Sequence, residues 1–442
     1  MGTRGLLIAT ALLAVLGGLV FWSNREKAKE EGKPPSDASP KIVSLQEGDL
    51  TQLDLKRRDG TETIIKKNAS GKWGIIAPKP IATDNDAVIQ ITNTFAGLAS
   101  DRVVEDKAGD LSGYGLNPPA LDVTVTKKDG KTQKILIGDD TPTGGSVYVM
   151  ASGDPRVFTM STSLKTSIDK TWQDLRDKRL LTFEQEKLTG VVLDAKKSSV
   201  QFGKNNQNEW TIVKPKPMRA DGWQVEELIR KLKEAKMDTA VSEEDAKKAA
   251  ASFATGTPVS TVKVSDASGT QTLDIRKVKD DYYAKSSVVD GVYKVAADLG
   301  TSTDKTMDDF RNKKLFDFGF SEPSKIEVKN GDKSAAYGKS GEKWFAGPKQ
   351  IDSTSLQNFI DKLRDLAATK FVETGFTTQV FEVTVVSNEG KRTEKVQISK
   401  SGADYFARRD NEPAIYQLDP KAADDLIKTS ADVKEAQPEK KK

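Results

Sequence analysis

The chain contains no histidine and no cysteine. Zinc or haem ligation by those residues, catalytic thiols, a Ser-His-Asp relay and disulfide bonds are therefore all excluded. Net charge is also scarce: 69 Lys and Arg face 65 Asp and Glu, leaving +4. That near balance gives no reason to expect nucleic acid as a partner. Long apolar runs are missing too, with one exception at the amino end. What is present is length, since 442 residues at about 150 per domain suggest about three globular units.

The exception is Gly5 to Trp22, 18 residues without a charge, preceded by Arg4 and followed by Ser23-Asn24-Arg25. As a helix the run reaches about 27 Å, close to the thickness of a bilayer core. It ends Val20-Phe21-Trp22, not in the small residues of a cleavage site, and Trp suits a membrane interface, so an anchor over residues 1–24 is predicted and not a removed signal. The missing cysteine rules out lipoprotein attachment. Counting cations alone (Arg25, Lys27, Lys29 and Lys33 after the helix, Arg4 before it) favours a cytoplasmic body. Glu26, Glu30 and Glu31 interleave with those cations, and a tiny basic amino tail is the layout of an uncleaved signal anchor. The expected arrangement is a single pass through the inner membrane, amino terminus inside, with the body in the periplasm or otherwise outside the cytoplasm.

Residues 25–40, with Glu30 to Pro40 reading EEGKPPSDASP, form a predicted spacer, and 434–442, reading KEAQPEKKK, a predicted disordered basic tail. With five cations and four anions set aside in 1–40, and four and two in 434–442, the body keeps 60 cations and 59 anions.

Within that body the sequence repeats. Trp73-Gly-Ile-Ile-Ala-Pro78, Trp210-Thr-Ile-Val-Lys-Pro215 and Trp344-Phe-Ala-Gly-Pro348 are spaced by 137 and 134 positions. An independent pair, Asp174-Leu-Arg-Asp-Lys-Arg-Leu-Leu-Thr-Phe183 and Asp309-Phe-Arg-Asn-Lys-Lys-Leu-Phe-Asp-Phe318, is offset by 135. Two anchors sharing one period indicate a copied unit. After each Trp segment an acid, Asp84, Asp221 or Asp352, stands where it can cap a helix. The offsets +4, +7, +8, +11 and +14 from each trace one apolar stripe at helical spacing: Val88, Ile91, Thr92, Phe95, Leu98; Val225, Leu228, Ile229, Leu232, Ala235; Leu356, Phe359, Ile360, Leu363, Leu366. Gln224 is placed to complete a capping box with Asp221, and Ile351 with Leu356 a hydrophobic staple around Asp352. The register runs on into Val103-Val104, Ala240-Val241 and Phe371-Val372.

Either side of the helix the period changes to two, as in Leu121-Asp-Val-Thr-Val125 and Phe381-Glu-Val-Thr-Val385, with Asp59-Gly60 and Asn330-Gly331 as hairpin turns. Each copy reads as a three-strand meander, a helix, a four-strand meander and a closing helix, the third of these starting Asp419-Pro420. The predicted fold is α+β: three tandem, homologous, mainly antiparallel sheet-plus-helix modules over 41–183, 184–318 and 319–433, behind one N-terminal transmembrane helix.

The Trp-x-x-x-x-Pro strand, the Asp-capped helix leading to a Val-Val strand, Gly113-Tyr-Gly-Leu-Asn-Pro-Pro119, Gly138-Asp-Asp-Thr-Pro-Thr-Gly-Gly145 with Tyr148, and the Asp-Leu-Arg-Asp-Lys close resemble the bacterial domain-of-unknown-function 4340 family. The likeness covers nearly all of residues 41–430 and is strongest in the first copy. The second keeps only Gly256-Thr-Pro258 of the Tyr-Gly-Leu segment, and the third has Gly375-Phe376 without the Pro. The resemblance implies a single-pass envelope protein, often accompanying an ABC-type exporter similar to those linked with gliding motility. It supplies no catalytic residues.

Candidate sites each meet a plainer reading. The glycine-rich Gly138–Gly145 lacks the Gly-Lys-Ser/Thr and the following helix of a phosphate loop, so a hairpin is expected. Asp139-Asp140, Asp280-Asp281 and Asp424-Asp425 fit no calcium loop. Ser340-Gly-Glu-Lys343 matches S-x-x-K but sits in a turn and has no K-T-G partner. Trp73, Trp210 and Trp344 read as core, not as ligand-stacking platforms. Arg176 and Lys178, with Arg311 and Lys313, read as solvated connector, not as lipid-headgroup ligands. No catalytic, cofactor or metal residue is assigned. The expectation is a non-enzymatic, membrane-anchored binding or scaffold accessory of the envelope, its partner an envelope or inner-membrane protein such as an ABC transporter subunit, with the membrane held through residues 5–22. A module for a lipid or other apolar ligand, or a carboxylate-only glycan hydrolase, is the alternative.

Overall fold

A computed structural model of the chain describes residues 41–42, 48–238, 243–410 and 412–437. The predicted anchor, the spacer, the Ala240-Val241 position and the last five residues lie outside them. Among the described residues no helix is long and apolar enough to cross a membrane.

The fold is α+β, built on three antiparallel sheets. In the first module the strands are β1 (Leu50–Arg57), β2 (Glu62–Lys67), β3 (Trp73–Ala77) and β4 (Ile81–Ala82), then helix α1 (Asn85–Ala96) and β5 (Arg102–Glu105). They continue with β6 (Leu121–Lys127), β7 (Thr132–Asp140), β8 (Ser146–Ala151), β9 (Val157–Ser161) and the short helices α2 (Thr162–Ile168) and α3 (Trp172–Leu175). The sheet order is β4-β3-β2-β1-β6-β7-β8-β9-β5, so the two predicted meanders join along the β1–β6 ladder. That ladder sets Leu53 opposite Val125 and Leu55 opposite Val123, which gathers the period-two apolar residues on one face. The α1 stripe of Val88, Ile91, Phe95 and Leu98 packs in the same core. Each such side chain contributes about 1.5–3 kcal/mol by leaving water.

The second module repeats the plan with β10 (Gly190–Ala195), β11 (Ser198–Lys204), β12 (Trp210–Lys214), β13 (Met218–Arg219) and α4 (Gly222–Lys233). An added helix, α5 (Glu243–Thr255), comes before β14 (Thr257–Asp266), β15 (Gly269–Val278), β16 (Asp281–Ser286), β17 (Val292–Val295) and α6 (Ala297–Thr303). The third runs β18 (Lys325–Asn330), β19 (Lys333–Ser340), β20 (Lys343–Ala346), β21 (Lys349–Gln350), α7 (Ser353–Asp365) and β22 (Ala368–Val372), then β23 (Gln379–Ser387), β24 (Arg392–Ser401), β25 (Asp404–Arg409), β26 (Ile415–Leu418) and α8 (Pro420–Ala431). In modules 1 and 3 the Val-Val segment becomes the edge strand, β5 on β9 and β22 on β26. In module 2 the sheet has, among the described residues, eight strands and ends at β17, against which α5 packs. Arg276 of β15 donates to the Phe253 carbonyl of that helix at 3.1 Å. The sequence reading did not foresee α5.

The caps are as predicted. Asp84, Asp221, Asp352 and Asp419 each accept a backbone N–H from the first turn of their helix. The predicted capping box at Gln224 does not close: the Asp221 N–H goes to Phe310 O, and the Gln224 side chain accepts from Lys305 Nζ at 2.9 Å. Ile351 and Leu356 are both buried, as a staple requires.

The chain forms two compact units, module 1 through Lys178 and modules 2 and 3 from Arg179. Each module opens with the same short pairing onto the end of its capped helix: Ile42 N–H to Leu98 O, Leu180 N–H to Ala235 O, Leu315 N–H to Leu366 O. Leu180, Leu181 and Phe183 are buried, and Leu315, Phe316 and Phe318 belong to the third core. These residues place the junctions about five positions before the boundaries at 183/184 and 318/319. Each module also closes in one way, its last segment pairing just ahead of the cap: Thr83 with Arg176, Ala220 with Arg311, Ile351 with Glu435. The tail predicted to be disordered from Lys434 is thereby corrected. Asp352 N–H donates to Lys434 O and Ala436 N–H to Gln350 O, each at 2.9 Å, so Lys434–Ala436 is the third closing segment.

Candidate functional site

In the second unit a set of charged side chains gathers where modules 2 and 3 meet. Arg219, on edge strand β13, reaches into module 3: Nε donates to Glu412 Oε1 at 2.8 Å, Nη1 to Asp317 Oδ2 at 2.5 Å, and Nη2 to Lys314 O at 2.6 Å and Tyr416 Oη at 3.1 Å. Arg409 approaches from β25, its Nε donating to the same Glu412 oxygen at 2.9 Å and its Nη2 to Glu394 Oε1 at 3.1 Å. Burial opposes the charge on Arg219, but Asp317, Tyr416 and Glu412 outweigh it and raise its pKa. Burial likewise pushes the Tyr416 hydroxyl up. The guanidinium fork explains why arginine serves here, because one side chain must satisfy four separate acceptor groups at fixed angles.

Glu394 is the outlier. It is 5 % exposed, on β24, and its Oε1 accepts the Asp317 N–H at 2.8 Å as well as Arg409. Its Oε2 is buried with no hydrogen-bond partner among the described residues. Burial, aided by the charge of Asp317, raises its pKa against the opposing pull of the Asp317 N–H and Arg409.

Glu394 also lines a cleft of about 640 Å³ between the two modules. One wall is the β11–β12 turn, where Asn205 Oδ1 accepts the N–H groups of Gln207 and Glu209, each at 2.9 Å, and fixes the loop. Glu209 then receives Arg392 Nη2 from module 3 at 2.7 Å, and Arg392 Nη1 donates to Asp317 O at 2.9 Å. Gly222 and Glu226 of α4 form another part of the lining. The surface is mostly amide, hydroxyl and paired charge.

Of the motifs singled out in the sequence, two reach this cleft: Trp210, whose ring is buried as predicted, and the Asp309–Phe318 segment through Asn312 and Asp317. Trp344 is buried as well, and Trp73 packs half-buried against the first core. Gly138–Gly145 forms the β7–β8 hairpin. Its glycine has a packing cause: a Cβ on Gly138 would stand 2.2 Å from Tyr114 O, so the Gly113–Pro119 segment can lie against the strand only over a glycine. The segment is held by Arg58, which donates to Gly115 O at 3.1 Å and to Asp139 at 2.9 Å.

At least one acid of each pair faces a cation. Asp140 faces Lys165 at 3.6 Å, Asp281 faces Lys294 at 2.9 Å, and Asp425 faces Lys421 at 2.8 Å. Among the described residues no group of acids is arranged to hold a metal. Ser340 and Lys343 pair across a turn. The solvated-connector reading is wrong for Arg311: its side chain is 13 % exposed, ion-paired with Asp308 at 3.1 Å and stacked 3.3 Å from the Phe371 ring centroid. Arg176 lies over Trp172 at 5.8 Å.

Sequence reasoning missed the Arg219–Glu394 cluster. A signal existed in the repeat itself, since Arg219 stands where the other copies have Ala82 and Gln350, and Glu394 where they have Gln133 and Gln271.

A family model described as "Domain of unknown function (DUF4340)" matches residues 73–209 and 210–380. Both segments begin at a repeat tryptophan, so the match keeps the period read from the sequence. Neither a curated protein nor a solved structure matches the chain.

Proposed function

We propose that this chain, which belongs to the domain-of-unknown-function 4340 family, is a non-enzymatic binding or scaffold protein of the cell envelope. In this reading it is tethered by residues 5–22, holds its body outside the cytoplasm and acts as an accessory of an ABC-type transport system, with the cleft of modules 2 and 3 as its binding face. The observation that supports it is the junction itself. Arg219 and Arg392 tie β13 and the β11–β12 turn to module 3, so the walls of the cleft are held before any ligand arrives, which lowers the ordering cost of binding. A tether adds effective concentration near a membrane partner. The test is capture from detergent-solubilised membranes with the full chain. A transporter subunit or another envelope protein should be recovered, and recovery should fall when the rim residues Gln207 and Asn208 are both changed to Ala. Recovery of no envelope protein counts against the reading.

One observation favours a second reading, the carboxylate hydrolase. Glu394 is a buried acid of raised pKa in a cleft that also holds Glu209 and Glu226, and a raised carboxyl paired with an ionised one is what glycoside cleavage uses. Turnover of an oligosaccharide by the full chain, abolished in Glu394→Gln, would put this reading first. The apolar-ligand reading has less behind it, because the cleft lining is polar.

A further inference from the structure

The charges at the junction of modules 2 and 3 do not balance, and the imbalance falls on one atom. Three carboxylates, Asp317, Glu394 and Glu412, share two guanidiniums: Arg219 pairs with Asp317 at 2.5 Å and Glu412 at 2.8 Å, and Arg409 with Glu412 at 2.9 Å and Glu394 at 3.1 Å. All but one of the carboxylate oxygens have a donor. Asp317 Oδ1 accepts from Asn312 at 2.7 Å and Oδ2 from Arg219; Glu412 Oε1 accepts from both arginines and Oε2 from Tyr416; Glu394 Oε1 accepts from Arg409 and the Asp317 N–H. Glu394 Oε2, fully buried, has no partner among the described residues. The neighbouring cations are matched elsewhere, Arg392 by Glu209, Arg311 by Asp308 and Lys391 by Glu389, and Glu226, exposed on α4, adds a further negative charge to the lining.

An ionised carboxylate with a dry, unserved oxygen is relieved by a cation, a proton or water. Among the described residues no group of acids is arranged to hold a metal. A proton needs no room. Water does, and Glu394 lines a cleft whose facing wall is module 2, so water reaches this oxygen when the walls move apart. We propose that the junction is a proton-operated hinge: modules 2 and 3 close on one another with a proton on Glu394 and loosen when Glu394 is ionised. None of the bonds of Arg219 ends on Glu394, so that tether survives either state and the change is a loosening and not a separation. Burial raises the Glu394 pKa in the closed form, and hydration in the loosened form returns it toward the ordinary value. Closure is therefore favoured at low pH and lost as pH rises through the raised value. Modules 1 and 2 carry Gln133 and Gln271 at this position, amides that do not titrate, so the device belongs to this junction.

The chain has no cysteine, so spin labels attach only at introduced ones. Gln207→Cys in module 2 and Lys391→Cys in module 3 replace exposed residues that line the cleft. The distance between their nitroxides, read by pulsed electron paramagnetic resonance on the full chain in detergent from about pH 4 to about pH 8, should be short and narrowly distributed in acid and shift to a longer, broader distribution as pH rises. In Glu394→Gln the short, narrow distribution should persist across the range. Infrared difference spectra of the parent give a second reading that needs no variant at Glu394: the band of a protonated carboxyl free of hydrogen bonds should grow on acidification with the midpoint of the distance change. A distribution indifferent to pH, a shift in the opposite sense, a shift of equal size in Glu394→Gln, or no carboxyl band at that midpoint overturns the inference. Neither measurement uses a ligand, so the outcome is separate from what the cleft binds.

Discussion

Two places in the second unit use one backbone device with different chemistry. Where the chain enters module 2, the Thr182 N–H donates to Gln271 Oε1 at 2.8 Å, and Gln271 Nε2 returns a bond to Thr182 Oγ1 at 3.3 Å. Where it enters module 3, the Asp317 N–H donates to Glu394 Oε1, also at 2.8 Å. The first pair is neutral, reciprocal and open to water, whereas the second is charged, buried and leaves one oxygen unserved. The geometry needed to start a module is thus available without ions. The ions at the second place therefore serve something other than the entry turn, namely Arg219, which crosses from module 2 to claim Asp317 and Glu412. A copied unit has kept its hydrogen bond and changed its electrostatics at one junction.

The largest break of that contrast is Arg219→Met. It leaves Asp317 and Glu412 in place without their main cation, and stranding partners of a largely buried pair costs about 3–5 kcal/mol. Urea unfolding should show that loss, while Arg230→Met, which removes exposed helix pairs with Glu227 and Glu234, should leave the urea midpoint close to the parent's, because water and salt screen exposed pairs. Equal effects would mean that the junction cluster is no more than surface charge. Next in size, ending the chain after Val433 removes the third closing segment and orphans the half-buried Asp352 N–H. A loss of about 1–2 kcal/mol is expected in thermal unfolding, and none if Lys434–Ala436 carries nothing.

Much of this was legible because the repeat reports local rules three times over. A Trp strand, an Asp cap and a 3.6-residue stripe depend on neighbours a few positions away, and all three copies agreed. The Arg219 cluster was not legible in the same way, since its partners lie 98 and 193 positions along the chain and no periodicity connects them. The closing segment Lys434–Ala436 was hidden for a different reason. Its two forerunners lead into apolar residues that begin the next module, Leu180-Leu181 and Leu315-Phe316, while the third has no module to enter and reads as polar tail. Helix α5 also escaped, because it occupies a place where module 1 carries the Gly113–Pro119 segment and module 3 only a short link from Val372 to Gln379.

The finest test exchanges the two pairs. Glu394→Gln gives module 3 the residue that module 2 has. Burial raises the Glu394 pKa in the folded chain, so this carboxyl contributes most below the pKa of an unfolded glutamate, and that contribution is lost as pH rises through the folded value. The Gln variant should therefore be more stable than the parent at pH 7, by about 1 kcal/mol, with the difference closing as pH falls to about 4. Urea midpoints across that range would read it, and a gap that widens toward acid would reverse the assignment. The reciprocal change, Gln271→Glu, puts a carboxylate where Thr182 is exposed and water can solvate it. It should shift stability by no more than about 0.5 kcal/mol and add no pH dependence between 5 and 8. If Gln271→Glu proved as costly and as pH-sensitive as the natural glutamate at 394, the exposed and buried entry turns would be electrostatically alike, and the special standing of Glu394 in its cleft would have to come from Arg409 and Asp317 and not from burial.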